Sequence, residues 1–135
     1  DKVIIVMDPI PKGMKNPPSM DDYAPTMLGE LDRPTMMAGG ELYGKMLKAG
    51  IVHADYHTGN WFIDSNGNTQ AIDFGISSKI KDAPLKHLNR AIQFTLPVLQ
   101  SKGEIRLAQK MADAYGDAGK IRKLLPQMAK ALTED

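Results

Sequence analysis

Cysteine is absent from the 135 residues, which excludes disulfide staples, thiolate zinc sites and thiol nucleophiles. An excess of one charge is also missing. Lys plus Arg is 17 against 16 for Asp plus Glu, a formal net charge of +1, so no overall field calls for nucleic acid or an anionic membrane surface. Long apolar runs are missing too: residues 3–7 form one of the longest, far below the roughly 20 a membrane span needs, and no basic-then-apolar leader opens the chain. No internal repeat or low-complexity tract is present. What remains is 42% hydrophobic and 24% charged residues, the composition of one soluble globular domain or one lobe of a larger one, with a cytoplasmic setting expected.

The chain opens on Asp1 and runs at once into β-branched residues 3–7, a buried-strand pattern with no turn before it, as in a piece of a longer protein. Pro9, Pro11 and Gly13 end that strand. Residues 14–33, with Pro17, Pro18 and Pro25, read as loop with at most a short helix over 23–31. Leu42, Tyr43, Met46 and Leu47 recur at helical spacing after Pro34 and before Gly50, predicting a helix over about 34–48. Gly39 and Gly40 oppose it by about 1 kcal/mol each, so the helix starts later or another element packs closely there.

Residues 51–52, 61–64 and 69–72 read as short strands, with Asn66-Gly67 turning a hairpin between the last two. Three apolar stripes follow. Leu85, Leu88, Ile92, Leu96 and Leu99 mark one, with Pro97 bending it. Ile105, Ala108, Met111, Ala112 and Tyr115 mark the second, and Ile121, Leu124, Leu125, Met128 and Leu132 the third, with Pro126 able to start a new turn. The fold class is α+β, mostly helical.

Chemistry concentrates in His53-Ala54-Asp55-Tyr56-His57-Thr58-Gly59-Asn60 and Asp73-Phe74-Gly75. Phosphoryl transfer from ATP needs a carboxylate beside the acceptor hydroxyl and oxygen ligands for Mg²⁺. Asp55 and Asn60 share one loop, and the hairpin returns the chain so that Asp73 comes beside Asn60. Taken singly, each residue also has a bland reading: Asp55 as a turn cap, Trp61 and Phe74 as core, His87 as surface or packing, and Lys79, Lys81, Lys86 and Arg90 as a solvated face.

Together these motifs resemble the protein-kinase-like phosphotransferases. His53-x-Asp55-x4-Asn60 looks like their catalytic loop and Asp73-Phe74-Gly75 like their metal-binding tripeptide. With His57 and Gly59 the pattern is more similar to aminoglycoside and choline kinases and UbiB-like atypical kinases than to ordinary protein kinases, and bacterial effector kinases with reduced C-terminal lobes remain a further match. The resemblance implies a last N-lobe strand and hinge at 1–13 and a C-terminal lobe at 14–135, with a short hairpin carrying the catalytic and metal loops. The N-lobe would come from upstream sequence or another chain.

It further implies ATP and Mg²⁺ as cofactors. Asp55 would serve the acceptor hydroxyl of a small molecule or protein, and Asn60 and Asp73 would hold the metal. Met7, Asp8 and Ile10 would form the hinge against adenine, and Phe62 and Ile72 its apolar floor. His53 would be a buried strut, while His57 stays open between packing and a phosphate or substrate contact. The Gly-rich loop and strand Lys of the family would lie before Asp1. No Ala-Pro-Glu sequence follows Gly75, an absence that favours a small-molecule or atypical kinase; a secreted bacterial effector would work in the host cytosol. A non-catalytic, kinase-derived interaction module is the alternative.

Overall fold

Asp32 starts the first helix: its carboxylate accepts the amide of Thr35 at 2.9 Å, an N-cap that holds its carboxyl below the ordinary range. From there α1 (Arg33–Lys48) runs to Ala49, and Gly50 follows with φ +81, the left-handed stop the sequence suggests. The structure, a computed structural model, describes residues 13–17, 28, 31–71 and 77–134. The strand over 3–7, the hinge residues Met7, Asp8 and Ile10, and most of the 23–31 stretch therefore lie outside the described residues. So do Ile72, Asp73, Phe74 and Gly75.

After α1 come β1 (Ile51–His53), β2 (Trp61–Ile63), β3 (Thr69–Ala71) and β4 (Ser77–Lys79), then a 3-10 turn (Ile80–Asp82). Three helices follow: α2 (Leu85–Ser101), α3 (Ile105–Ala114) and α4 (Ala118–Thr133). The strands form two antiparallel pairs. β2 meets β3 with Trp61 opposite Ala71, and β1 meets β4 with His53 opposite Ser77 and Ile51 opposite Lys79. Lys15, expected as plain loop, instead exchanges two backbone bonds with Ile63, because Ile63 offers an unpaired edge on β2.

The helices bury one face each, as their apolar spacing dictates, and α1 packs chiefly along α4. α2 and α4 pass through Pro97 and Pro126 as single helices, so Pro126 does not restart one. Four stripe residues depart from the core: Leu85 is 39% exposed, Ile105 66% and Tyr115 49%, and Ala112 is exposed as well, α3 burying Leu107 and Ala114 instead. Leu85, Ile105 and Tyr115 stand at a helix end, where packing neighbours are missing, whereas Ala112 lies within α3 on its outward face. Tyr115 also uses its hydroxyl to accept Gln93 Nε2 at 3.0 Å.

The helix does not begin after its paired glycines. It contains them because other elements need the space. A Cβ on Gly39 would stand 2.6 Å from Leu28 Cδ2 and 2.8 Å from the Trp61 ring, and one on Gly40 would stand 2.5 Å from Val98 Cγ1. Trp61 is fully buried and has no room to retreat. We expect Gly39→Ala to destabilise the chain by about 1–3 kcal/mol in urea denaturation, as overpacking does. Gly119→Ala, at an exposed position of α4 where the nearest atom is 3.6 Å away, should be neutral or stabilising by up to about 1 kcal/mol.

Candidate functional site

β1 delivers Val52 and His53 into the core and then releases the chain into a loop tied down from both sides. On the α1 side, Tyr43 Oη donates to the His53 carbonyl at 2.8 Å and Tyr56 Oη donates to the Gly39 carbonyl at 2.7 Å. Burial pushes both phenols well above their ordinary range, so both stay neutral donors. The Tyr56 ring stacks on Trp61 with centroids 5.9 Å apart and meets Tyr43 edge-on at 5.0 Å. Asp55 sits between these anchors, and its amide donates to His53 Nδ1 at 3.1 Å.

His57, Thr58, Gly59 and Asn60 complete the loop as a tight turn, with Asn60 N donating to the His57 carbonyl at 2.9 Å. Asn60 is buried. Its Nδ2 donates to the Asp55 carbonyl at 2.6 Å and to Asp55 Oδ2 at 3.1 Å, which uses both of its hydrogens. Its Oδ1 accepts no bond from a described residue.

His57 has its tautomer set by the loop. Gly59 N donates to Nδ1 at 3.0 Å, so the neutral ring carries its proton on Nε2, which lies 3.4 Å from Asp55 Oδ1. The 3.2 Å contact between Asn60 Nδ2 and His57 Nε2 is then a meeting of two donors that both point at Asp55. Asp55 thus receives a donor on each carboxylate oxygen while its side chain remains 35% exposed. A Cβ on Gly59 would stand 2.9 Å from His57 Cε1, so a side chain there would displace the imidazole.

The hairpin after Asn60 is closed by Asp64, whose Oδ1 accepts the amides of Asn66 and Asn68 at 2.9 Å while Oδ2 accepts Asn68 Nδ2 at 2.9 Å. Gly67, at φ +83, makes this a longer loop than a two-residue Asn-Gly turn. Phe62 lies half-buried on β2 opposite Gln70. Ile72 and Asp73 lie outside the described residues. The described flanks both border the loop: Ala71 is opposite Trp61, next to Asn60, and Ser77 is opposite His53.

Of the expected site residues, Asp55 and Asn60 are therefore in direct contact, and Phe62 follows on the adjoining strand. The roles of Tyr43 and Tyr56 escaped the sequence, where Tyr43 reads as one more apolar stripe position and Tyr56 carries no signal. His87, expected as surface or packing, meets Ser78 Oγ at 3.1 Å; burial, then Lys86 and Arg90, lower its pKa. Among the described residues no three His, Asp or Glu side chains group as a metal cage. Asn60 Oδ1, with both amide hydrogens of that side chain spent on Asp55, has the chemistry of an oxygen that a hard cation accepts.

Hydrogen bonds from the Asn68 side chain, the largest cause, and from the Asn68, Asn66 and Gly67 amides lower the pKa of Asp64 from 3.8. A lowered folded-state pKa adds stability that is complete above the unfolded value and is lost as pH falls through the folded one. The hairpin's share should therefore disappear on acidification below about pH 4. Asp64→Ala should remove that part of the acid dependence, measured as melting temperature against pH. An unchanged acid limb would refute the assignment.

Residues 36–98 match the model of a family described as the ABC1 atypical kinase-like domain. The match is consistent with a protein-kinase-like superfamily and with a UbiB-like atypical kinase. No curated protein and no solved structure matches the chain.

Proposed function

Because residues 36–98 match an atypical kinase-like domain, we propose that this chain forms the C-terminal lobe of an ATP-dependent phosphotransferase acting on a hydroxyl acceptor. The observation that carries this reading is the Asn60 side chain. With both amide hydrogens spent on Asp55, its carbonyl oxygen is turned away from the carboxylate and is free to face a cation. One short loop therefore offers two chemically distinct faces.

The acceptor's hydroxyl oxygen attacks the γ-phosphorus, a new O–P bond forms, and the bond from that phosphorus to the β–γ bridging oxygen breaks. Asp55 orients the hydroxyl and takes its proton. His57 Nε2–H and Asn60 Nδ2–H hold the carboxylate in place throughout. Asn60 and Asp73 are the residues that would hold Mg²⁺, which offsets phosphate charge when bound. Met7, Asp8 and Ile10 serve as hinge, and Phe62 with Ile72 as the surface under adenine. No described helix is long and apolar enough to cross a membrane.

The two carboxylates separate by role in the full-length protein. Asp73→Asn should weaken Mg²⁺-dependent ATP binding as well as turnover, because an amide brings no charge to a hard dication. Asp55→Asn should leave Mg·ATP binding within about threefold and lower turnover by about 10²–10⁴, the contribution of a positioned general base. ATP titration with and without Mg²⁺, paired with turnover, reads both. Unchanged binding and turnover in both variants would leave a non-catalytic interaction module instead.

A further inference from the structure

At the end of the β1–β4 pair remote from Asp55 lies an open groove of about 590 Å³. Its floor is aliphatic, made by Ile51 and Ile80, and its rim carries Lys79, Lys81 and Arg122. The backbone holds this shape: Ile51 is opposite Lys79 in the ladder, and Ile80 N donates to the Gly50 carbonyl at 2.9 Å. Arg122 reaches over from α4. Its Nε and Nη2 donate to the carbonyls of Ile80 at 3.3 Å and Ala83 at 2.7 Å, so the guanidinium is fixed in the rim.

No carboxylate lines the groove, and none of the three cations forms an ion pair with a described residue. Fixed positive charge around an apolar floor complements carboxylates that flank an aliphatic side chain. A small molecule is ordinarily taken into an enclosed pocket, whereas an open groove at a strand end suits an extended chain. We propose that this groove docks an acidic, extended protein segment. The groove opens at Ile51, four positions before Asp55 and at the far end of the β1–β4 pair, so it is distinct from the loop around Asp55. The proposal is independent of phosphoryl transfer.

The probe is a fluorescein-labelled synthetic peptide of about ten alternating Glu and Leu residues, titrated into this chain by anisotropy and mapped by amide NMR shifts. Saturable binding should weaken at least tenfold in Lys79→Gln/Lys81→Glu, with shifts centred on Ile51 and residues 79–81. Lys110→Glu/Lys123→Glu, on α3 and α4, should change affinity less than twofold, and circular dichroism checks that both variants fold. Equal weakening by the two pairs would reduce the effect to diffuse attraction and overturn the proposal. So would the same shifts from inorganic phosphate alone, anionic vesicles binding where the peptide does not, or concentration-dependent self-association through this face.

Discussion

A bare stretch of helix backbone at Gly39 lets Trp61 and Leu28 approach to where a Cβ would otherwise stand, and it presents a carbonyl that Tyr56 reaches from the loop. The loop around Asp55 inherits its geometry from that approach. Tyr56 stacks on Trp61 and bonds α1, while Tyr43, one turn further along the same helix, bonds the His53 carbonyl. The residues on either side of Asp55 are thus fixed to α1, and the helix is in turn backed by α4. A helix with average propensity at those positions would have been more stable alone and useless as a platform.

On that platform the polar groups of the loop are committed in a particular order. Backbone amides set His53 and His57, His57 and Asn60 set the carboxylate, and the carboxylate keeps about a third of its side chain exposed. Groups fixed before a substrate arrives need little reorganisation when charge develops, which is where preorganised sites gain most of their rate. The site loses flexibility in exchange. His57 has no room for a side chain at residue 59, and Trp61 Nε1 is buried without a hydrogen-bond partner among the described residues.

Much of this was readable from residue spacing. The α1 boundaries follow from Pro34 and Gly50, the hairpin from Asn66-Gly67, and the sharing of one loop by Asp55 and Asn60 from their separation. The Asp32 cap and the direct contact between Asp55 and Asn60 come from the structure. Leu85, Ile105 and Tyr115 fit a helical period, but the period does not say where the helix ends, and Ala112 reads onto the inner face of α3, where Leu107 and Ala114 belong. Tyr56 and the groove under Lys79 are tertiary. Nothing local marks a tyrosine whose partner carbonyl lies on another element, or lysines that line one groove with an arginine from α4.

Asn60 turns its nitrogen to Asp55, and the proposed phosphotransferase needs its oxygen turned to a metal. Mn²⁺ substituted for Mg²⁺ tests this directly, because its unpaired electrons broaden only nearby resonances. With ATP and Mn²⁺ added to the full-length protein, the Asn60 carboxamide signals should broaden strongly while those of Gln109, exposed on α3, stay sharp. Mn²⁺-dependent ATP binding that leaves Asn60 sharp and broadens resonances elsewhere would contradict a metal role for Asn60.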